Sequence, residues 1–301
     1  MARILIIKLG ALGDVVLAFA PFAAIRAHHP ADRLTLLTTA PFAPLLAASP
    51  WFDAIALDRR PAWWDLPGLA TLRRSLRGFD FVYDLQTSGR SSRYFRLAGR
   101  PGWSGIARGA SHPHDDPDRD RMHTIDRQAD QLARAGVAAV APDLSWLAAR
   151  GPVLEPPYAL LVPGAAAHRP AKRWPAAHFA ELAVLLSSRA IRPVVVGAAA
   201  DAPLAATIRH RCPDALDLTG RTSLPELGGL AARAAVAIGN DTGPMHLAAT
   251  MGCRTLVLFS RDSDPALTAP RGPDPHAVQV LRADDLAALT PESVAARAWS
   301  A

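Results

Sequence analysis

The sequence predicts an α/β protein built from two Rossmann-like halves, each a parallel sheet covered by helices. Short apolar, β-branched runs alternate with helix-length segments, a Pro/Gly cluster at 150–157 interrupts them, and the alternation then restarts. The length agrees, since 301 residues is about two domains at roughly 150 residues each.

The elements follow in order. Residues 3–8 (RILIIK) are the apolar run expected of a strand covered on both faces. Residues 10–14 make a Gly-containing turn, and 15 to about 28 a helix. A second strand spans 34–39, closed by Pro41, and a third spans 79–84. Beyond the break, strands are expected at 158–162, 192–196, 236–239 and 255–259, with a helix over 176–189. The tail 290–299 opens like a capped helix that packs across the back. The domains are therefore set at 1–155 and 156–301, with the working cleft between them.

Hydrophobic residues make up 50% and charged residues 20%, so the chain forms cores and is not disordered. Two cysteines, Cys212 and Cys253, exclude a disulfide scaffold and the common zinc-ribbon patterns, and suggest a reducing compartment. The apolar stretch 15–25 lacks a cleavage site after it. It also falls far short of the ~20 residues that span a bilayer. The expected location is cytoplasmic, with peripheral contact at the inner face of the inner membrane as an option. Residues 1–150 carry 19 Lys and Arg against 14 Asp and Glu, and residues 151–301 carry 14 against 13. The N-terminal excess favours anionic partners. No basic run interleaved with aromatics points to nucleic acid.

Only Lys8 and Lys172 of the 33 basic residues are lysines, in a chain that otherwise uses Arg, and both neighbourhoods suggest chemistry. Lys8-Leu-Gly-Ala-Leu-Gly-Asp14 joins a strand to a helix, with glycines that let backbone amides face a ligand. It is neither a dinucleotide fingerprint nor a P-loop. Asp14 reads either as a helix cap or as a group at the carboxyl end of the first strand, where open sheets bind ligands. Lys172 and Arg173 precede a helix whose first turn holds Pro175. Cations there are unfavourable unless something negative sits between them, so a diphosphate lodged there is the favoured reading over a solvated pair. In Gly239-Asn-Asp241-Thr242-Gly243-Pro-Met-His246, a strand runs through a turn into a helix whose amides and dipole make an anion-binding end. There Asp241 reads as a sugar-hydroxyl acceptor or a cap, and His246 as a phosphate contact or a packing residue.

Taken together, these segments resemble glycosyltransferase family 9, the bacterial ADP-heptose:lipopolysaccharide heptosyltransferases. The resemblance runs the length of the chain: Lys8 to Asp14, Asp80-Phe-Val-Tyr-Asp-Leu-Gln86 with Arg90 after it, His123 opening a helix, Pro170-Ala-Lys-Arg-Trp-Pro175, and Asp241-Thr-Gly-Pro-Met-His246. It implies a GT-B fold, two Rossmann-like domains with parallel sheets facing across a cleft. The activity it implies is inverting transfer of heptose from an ADP-sugar donor to an anionic, lipid-linked saccharide acceptor of the lipopolysaccharide inner core. Asp14 matches the general base, and Lys172 the lysine that neutralises the donor diphosphate, with Arg173 beside it. Asp241, Thr242, Gly243 and His246 match the donor-binding turn. Lys8, Gly13, Arg59 and Arg60 are assigned to the acceptor side. With cations and a helix dipole to stabilise the leaving diphosphate, no metal or cofactor is required.

Two departures stand out: Ala165-Ala-Ala167 removes side-chain donors before the lysine, and Phe259 is followed by Ser260-Arg261-Asp262 where many members have Gly-Pro-Thr. The arginines 59, 60, 73, 74 and 77 read either as a surface for acceptor carboxylates and phosphates or as a solvated face. His112-Pro-His-Asp-Asp-Pro-Asp-Arg-Asp120 carries metal-ligand residue types with two prolines and no helical spacing, and Asp262-Ser-Asp264 imitates the Asp-x-Asp metal motif of a different glycosyltransferase fold; metal binding is the minor reading of both, against a polar loop. Trp63 and Trp64 are expected to pack. The alternatives kept open are another GT-B enzyme such as a nucleotide-sugar 2-epimerase, and a catalytically silent nucleotide-sugar-binding protein.

Overall fold

A computed structural model describes residues 1–299, which fall into two compact units, one ending at Trp146 and the other beginning at Leu147. In the first unit the order is β1 (Arg3–Ile7), α1 (Leu12–Val16), α2 (Phe19–His28), β2 (Arg33–Thr38), α3 (Ala43–Ala47), β3 (Ala54–Leu57) and α4 (Leu66–Leu76). Then come β4 (Phe81–Asp84), α5 (Gly89–Ala98), β5 (Gly102–Gly105), β6 (His112–Pro113), α6 (Thr124–Arg134) and the short α7 (Ser145–Ala148), which carries the chain across the division. The sheet order is β3-β2-β1-β4-β5-β6, and every pairing is parallel.

The apolar run of β1 is explained by its central place. Leu5 and Ile7 join Leu37, Val82 and Trp103 in a core packed against Leu72 and Leu76 of α4 and Tyr94 and Phe95 of α5. Ile4 and Ile6 are fully buried on the other face. The helix expected over 15–28 is broken, because Pro21 removes one helical donor and its ring would crowd the carbonyl of Leu17. The chain therefore ends α1, steps through Leu17–Ala18 and restarts, so that Pro21 falls in the first turn of α2.

The second unit runs β7 (Tyr158–Val162), α8 (Ala176–Ser187), β8 (Arg192–Val195), α9 (Ala202–Arg211), β9 (Leu216–Asp217), α10 (Leu224–Arg233), β10 (Val236–Asn240), α11 (Gly243–Thr250), β11 (Thr255–Phe259), α12 (Pro265–Thr268), β12 (Val278–Arg282) and α13 (Pro291–Trp299). Its sheet order is β12-β11-β10-β7-β8-β9, again all parallel. Val294, Ala295 and Ala298 of α13 share a core with Phe179, Leu182 and Leu186 of α8, as expected for the tail.

The division falls before the Pro/Gly segment near residue 155. Leu147 fills the space beside Gly228, and the carbonyl of Arg150 lies against Gly229, where no Cβ would fit. The Arg233 guanidinium donates to the carbonyls of Ala148 (2.7 Å), Arg150 (3.0 Å) and Pro152 (2.9 Å), so α10 holds this segment in the second unit. Prolines mark where the chain cannot continue a helix, but the carbonyls bound by Arg233 decide which body the segment joins.

Candidate functional site

In the first unit, the carboxyl ends of β1 and β4 and the start of α6 enclose a cavity of about 210 Å³, lined among others by Lys8, Asp14, Gln86, Thr87, Thr124 and Arg127. Lys8 follows β1 and is 4% exposed; its ammonium donates to the carbonyl of Leu85 at 3.1 Å. Burial pushes its pKa down, against the opposing pull of Asp14. Asp14 sits in the first turn of α1, where one carboxylate oxygen accepts from the Ala11 amide at 3.1 Å. It is thus both a helix-start ligand and part of the cavity wall, and the two readings do not compete.

The turn before it needs its glycine at position 10. Gly10 has φ +121°, and a Cβ there would strike the ring of Phe42. Gly13, expected at the acceptor side, is an ordinary helical residue of α1 with no positive φ. Gln86 fixes the loop by accepting from the Leu9 amide at 2.8 Å. Asp84 at the end of β4 is fully buried, and burial pushes its carboxyl up to about 6. Arg60 reaches this end of the sheet, its guanidinium donating to the Leu9 carbonyl at 3.0 Å, and both it and Arg59 are exposed. Asp84, Gln86 and Arg127 were legible only as members of a motif or not at all; what gives them a place is the adjacency of β1 and β4.

In the second unit the carboxyl ends of β7, β10 and β11 assemble the other cluster. Asn240 ends β10, and its side chain accepts from the Trp174 amide at 3.0 Å and donates to the Pro163 carbonyl at 2.8 Å. The buried Trp174 indole donates to the Leu289 carbonyl at 2.9 Å. These bonds bring the 163–175 loop to the strand ends, where the Lys172 ammonium meets Asp241 at 2.5 Å, with side-chain exposures of 12% and 6%. The Ser263 hydroxyl donates to the same carboxylate oxygen at 2.7 Å. Burial alone would raise the Asp241 pKa, but His246, Lys172 and Ser263 outweigh it and hold the carboxyl at about 2. His246 Nε2 lies 3.9 Å from the other oxygen, at the outer edge of contact.

Several expectations change here. Asp241 is no helix cap but the partner of Lys172. Thr242 occupies the cap position of α11, its hydroxyl donating to the Asn240 carbonyl at 3.2 Å, and Gly243 opens the helix. The anion expected between Lys172 and Arg173 is supplied in part by the chain itself, and Arg173 turns away to donate to the Ala165 carbonyl at 2.8 Å. That bond organises the Ala165–Ala167 loop from its backbone. Ser263 directly follows the Ser260–Asp262 departure from the resembled pattern, and its hydroxyl reaches Asp241. Asp264 beside it caps α12 by accepting from the Ala266 amide at 2.9 Å.

The 112–120 segment is not simply a polar loop. His112 pairs in β6, and His114 is buried with Nε2 2.9 Å from Asp130. Asp115 and Asp116 join Asp130 around Arg134. Among the described residues no group of three or more His, Cys, Asp or Glu is placed to hold a metal. Trp64 is 85% exposed and does not pack; Trp63 is stacked by Arg90 and Arg93, each 5.1 Å from its ring.

A model of glycosyltransferase family 9 (heptosyltransferase) matches residues 69–290, most of the chain. The chain belongs to that family. It is therefore a family 9 glycosyltransferase, and its relatives agree. It is 28% identical to lipopolysaccharide heptosyltransferase 2 of Escherichia coli K12, over 93% of this chain and 88% of that protein. The Salmonella typhimurium LT2 protein of the same name is 27% identical over the same shares. A stretch of 106 residues is 36% identical to lipooligosaccharide heptosyltransferase 2 of Haemophilus influenzae, covering 34% of this chain and 30% of that protein. Two E. coli structures share the GT-B fold: heptosyltransferase WaaC with ADP (TM-score 0.80, 23% identity, 97% of each chain) and ADP-heptose lps heptosyltransferase II (0.75, 22%, 98% of this chain and 96% of that one). The family 9 enzyme has no described helix long and apolar enough to cross a membrane.

Proposed function

We propose that this family 9 enzyme moves a heptose from ADP-heptose to an inner-core saccharide of lipopolysaccharide, with inversion, on the cytoplasmic face of the inner membrane. The observation that carries this reading is the Lys172–Asp241 pair beside the start of α11, a cation held at the strand ends where a diphosphate would sit. The names of the relatives supply the heptose and lipopolysaccharide, and the complex of WaaC with ADP supports adenosine diphosphate as the leaving group.

In this reading the C-terminal unit binds the donor and the N-terminal unit the acceptor. Asp14 accepts the proton of the acceptor hydroxyl as that oxygen bonds to the anomeric carbon from the face opposite the leaving group. The bond from the anomeric carbon to the diphosphate oxygen breaks, and its electron pair leaves with ADP. Lys172, His246 and the first amides of α11 stabilise the charge gathering on the diphosphate, which competes with Asp241 for the ammonium. Lys8, Arg59, Arg60 and Arg127 offer cations to an anionic acceptor; Gly13 adds its backbone only.

Calorimetric titration with ADP, UDP and GDP tests the donor site. Selective ADP binding that is lost in Lys172→Ala supports it, and equal or absent binding of all three overturns it. ADP release that depends on an added acceptor then separates transfer from the alternatives. An epimerase would turn over nucleotide sugar with no acceptor, and a silent binding protein would release none with any acceptor.

A further inference from the structure

Seven large apolar side chains are exposed among the described residues, and Met1, Val140 and Val153 stand apart from the rest. The other four cluster between residues 57 and 66: Leu57 and Trp63, less than half exposed, and Trp64 and Leu66, 85% and 73% exposed. The segment is firmly based. Buried Asp58 accepts from the Arg60 amide at 2.7 Å and the Tyr94 hydroxyl at 2.6 Å, and Arg90 donates to the Pro61 carbonyl at 2.6 Å. Asp58 and Pro61 are buried while most residues around them meet solvent, so the exposure belongs to an anchored loop and does not come from fraying.

Exposed arginines lie in this segment and farther along the helix that it opens. Arg59 lies in the segment, Arg73 and Arg74 are on α4, Arg77 follows it, and all four are exposed. No ion pair engages any of them among the described residues. The acids of the segment are already occupied, Asp58 as above and Asp65 in capping α4 through the Gly68 amide at 3.0 Å. The loop follows β3, the edge strand, at the carboxyl end of the sheet that also holds Asp14.

Exposed indole beside unpaired arginine matches the water–lipid interface, where the ring lies at headgroup level and guanidinium meets phosphate. We propose that residues 57–66, with Arg73 and Arg74, dock this enzyme on an anionic lipid surface. Trp64 and Leu66 enter the headgroup region while the arginines bind lipid phosphates. The purpose of such docking rests on the lipid-linked acceptor read above, but the docking itself is tested without any sugar.

The test is flotation of the full chain with phosphatidylethanolamine–phosphatidylglycerol vesicles, and with phosphatidylcholine vesicles alone. Binding is expected only to the anionic vesicles, weakening as salt rises above ~0.15 M. The Trp64→Ser/Leu66→Ser double variant should lose at least about tenfold in vesicle affinity, and Arg73→Gln/Arg74→Gln about fivefold per arginine. ADP affinity of the serine variant should stay unchanged, which shows that it folds. Equal binding to both vesicle types, or binding unaltered by the serine variant, overturns the proposal. So does a dimer in solution that the serine variant dissociates, since the patch would then face a second copy. A chain that docks but transfers no heptose refutes the proposed function and leaves the docking surface standing.

Discussion

Replacing Lys172 with Met should destabilise the C-terminal unit by about 2–3 kcal/mol, because it strands the buried carboxylate of Asp241. The size follows from the local electrostatics. Asp241 is held at about 2 although burial pushes it upward; against an ordinary ~3.9, and at 1.36 kcal/mol per unit, the surroundings favour its ionised form by about 2.5 kcal/mol. Lys172 at 2.5 Å and Ser263 at 2.7 Å make the direct contacts, and only the lysine brings charge. At roughly 2–4 °C per kcal/mol for a unit of this size, the midpoint should fall by about 5–10 °C. Scanning calorimetry resolved into two transitions is the assay, and only the C-terminal transition should move. Lys172→Met/Asp241→Asn should recover most of the loss, since no unpaired charge is left. A double variant as unstable as the sum of the two single variants would refute this reasoning. The pH dependence has a definite sign: a depressed carboxyl stabilises above its unfolded pKa of ~3.9, and that contribution is lost as pH falls through about 2. Asp241→Asn should lack this acid-side loss.

Three other outcomes are expected. Asp14→Asn should cut acceptor-dependent ADP release by about 10²–10⁴-fold while leaving ADP affinity intact by titration calorimetry. Asp84, raised to about 6 by burial, binds a proton more readily in the native state than unfolded; the N-terminal unit should therefore lose stability as pH rises from ~4 through 6, a slope absent from Asp84→Asn in a calorimetric pH series. Arg233→Ala frees the carbonyls of Ala148, Arg150 and Pro152. Limited proteolysis should then cut within 148–156 several-fold faster than in the parent chain.

Much of the fold was legible because the central strands of both sheets are covered on two faces. Such strands must be apolar without interruption, and 3–8, 158–162, 236–239 and 255–259 could hardly be read otherwise. The edge and short strands went unread for the converse reason. β6 and β9 have two residues each, and β3 and β12 are only half-buried, so none carries a burial pattern that stands out from a loop. Helix boundaries followed local chemistry where that chemistry is strict, as at Pro21 and at Gly10 with its ring neighbour Phe42.

The candidate sites divide in the same way. Residue type alone singled out Lys8 and Lys172 in an arginine-using chain, and a strand–turn–helix pattern placed Asp14 and Asp241 at strand ends. Which charges meet could not be read so. Lys172 and Asp241 are brought together because β7 and β10 are neighbours in the sheet and Asn240 ties the intervening loop by the Trp174 amide. Arg173 leaves the pair for a backbone carbonyl, and Ser263 arrives from beyond β11. Whether Trp63 and Trp64 pack or face water was likewise decided by the pinning of Asp58 and Pro61, contacts made by residues of α5. Backbone propensity and the apolar period act over a few residues and are written in the chain itself; partner choice among charges depends on which strands become neighbours, and only the folded sheet settles that.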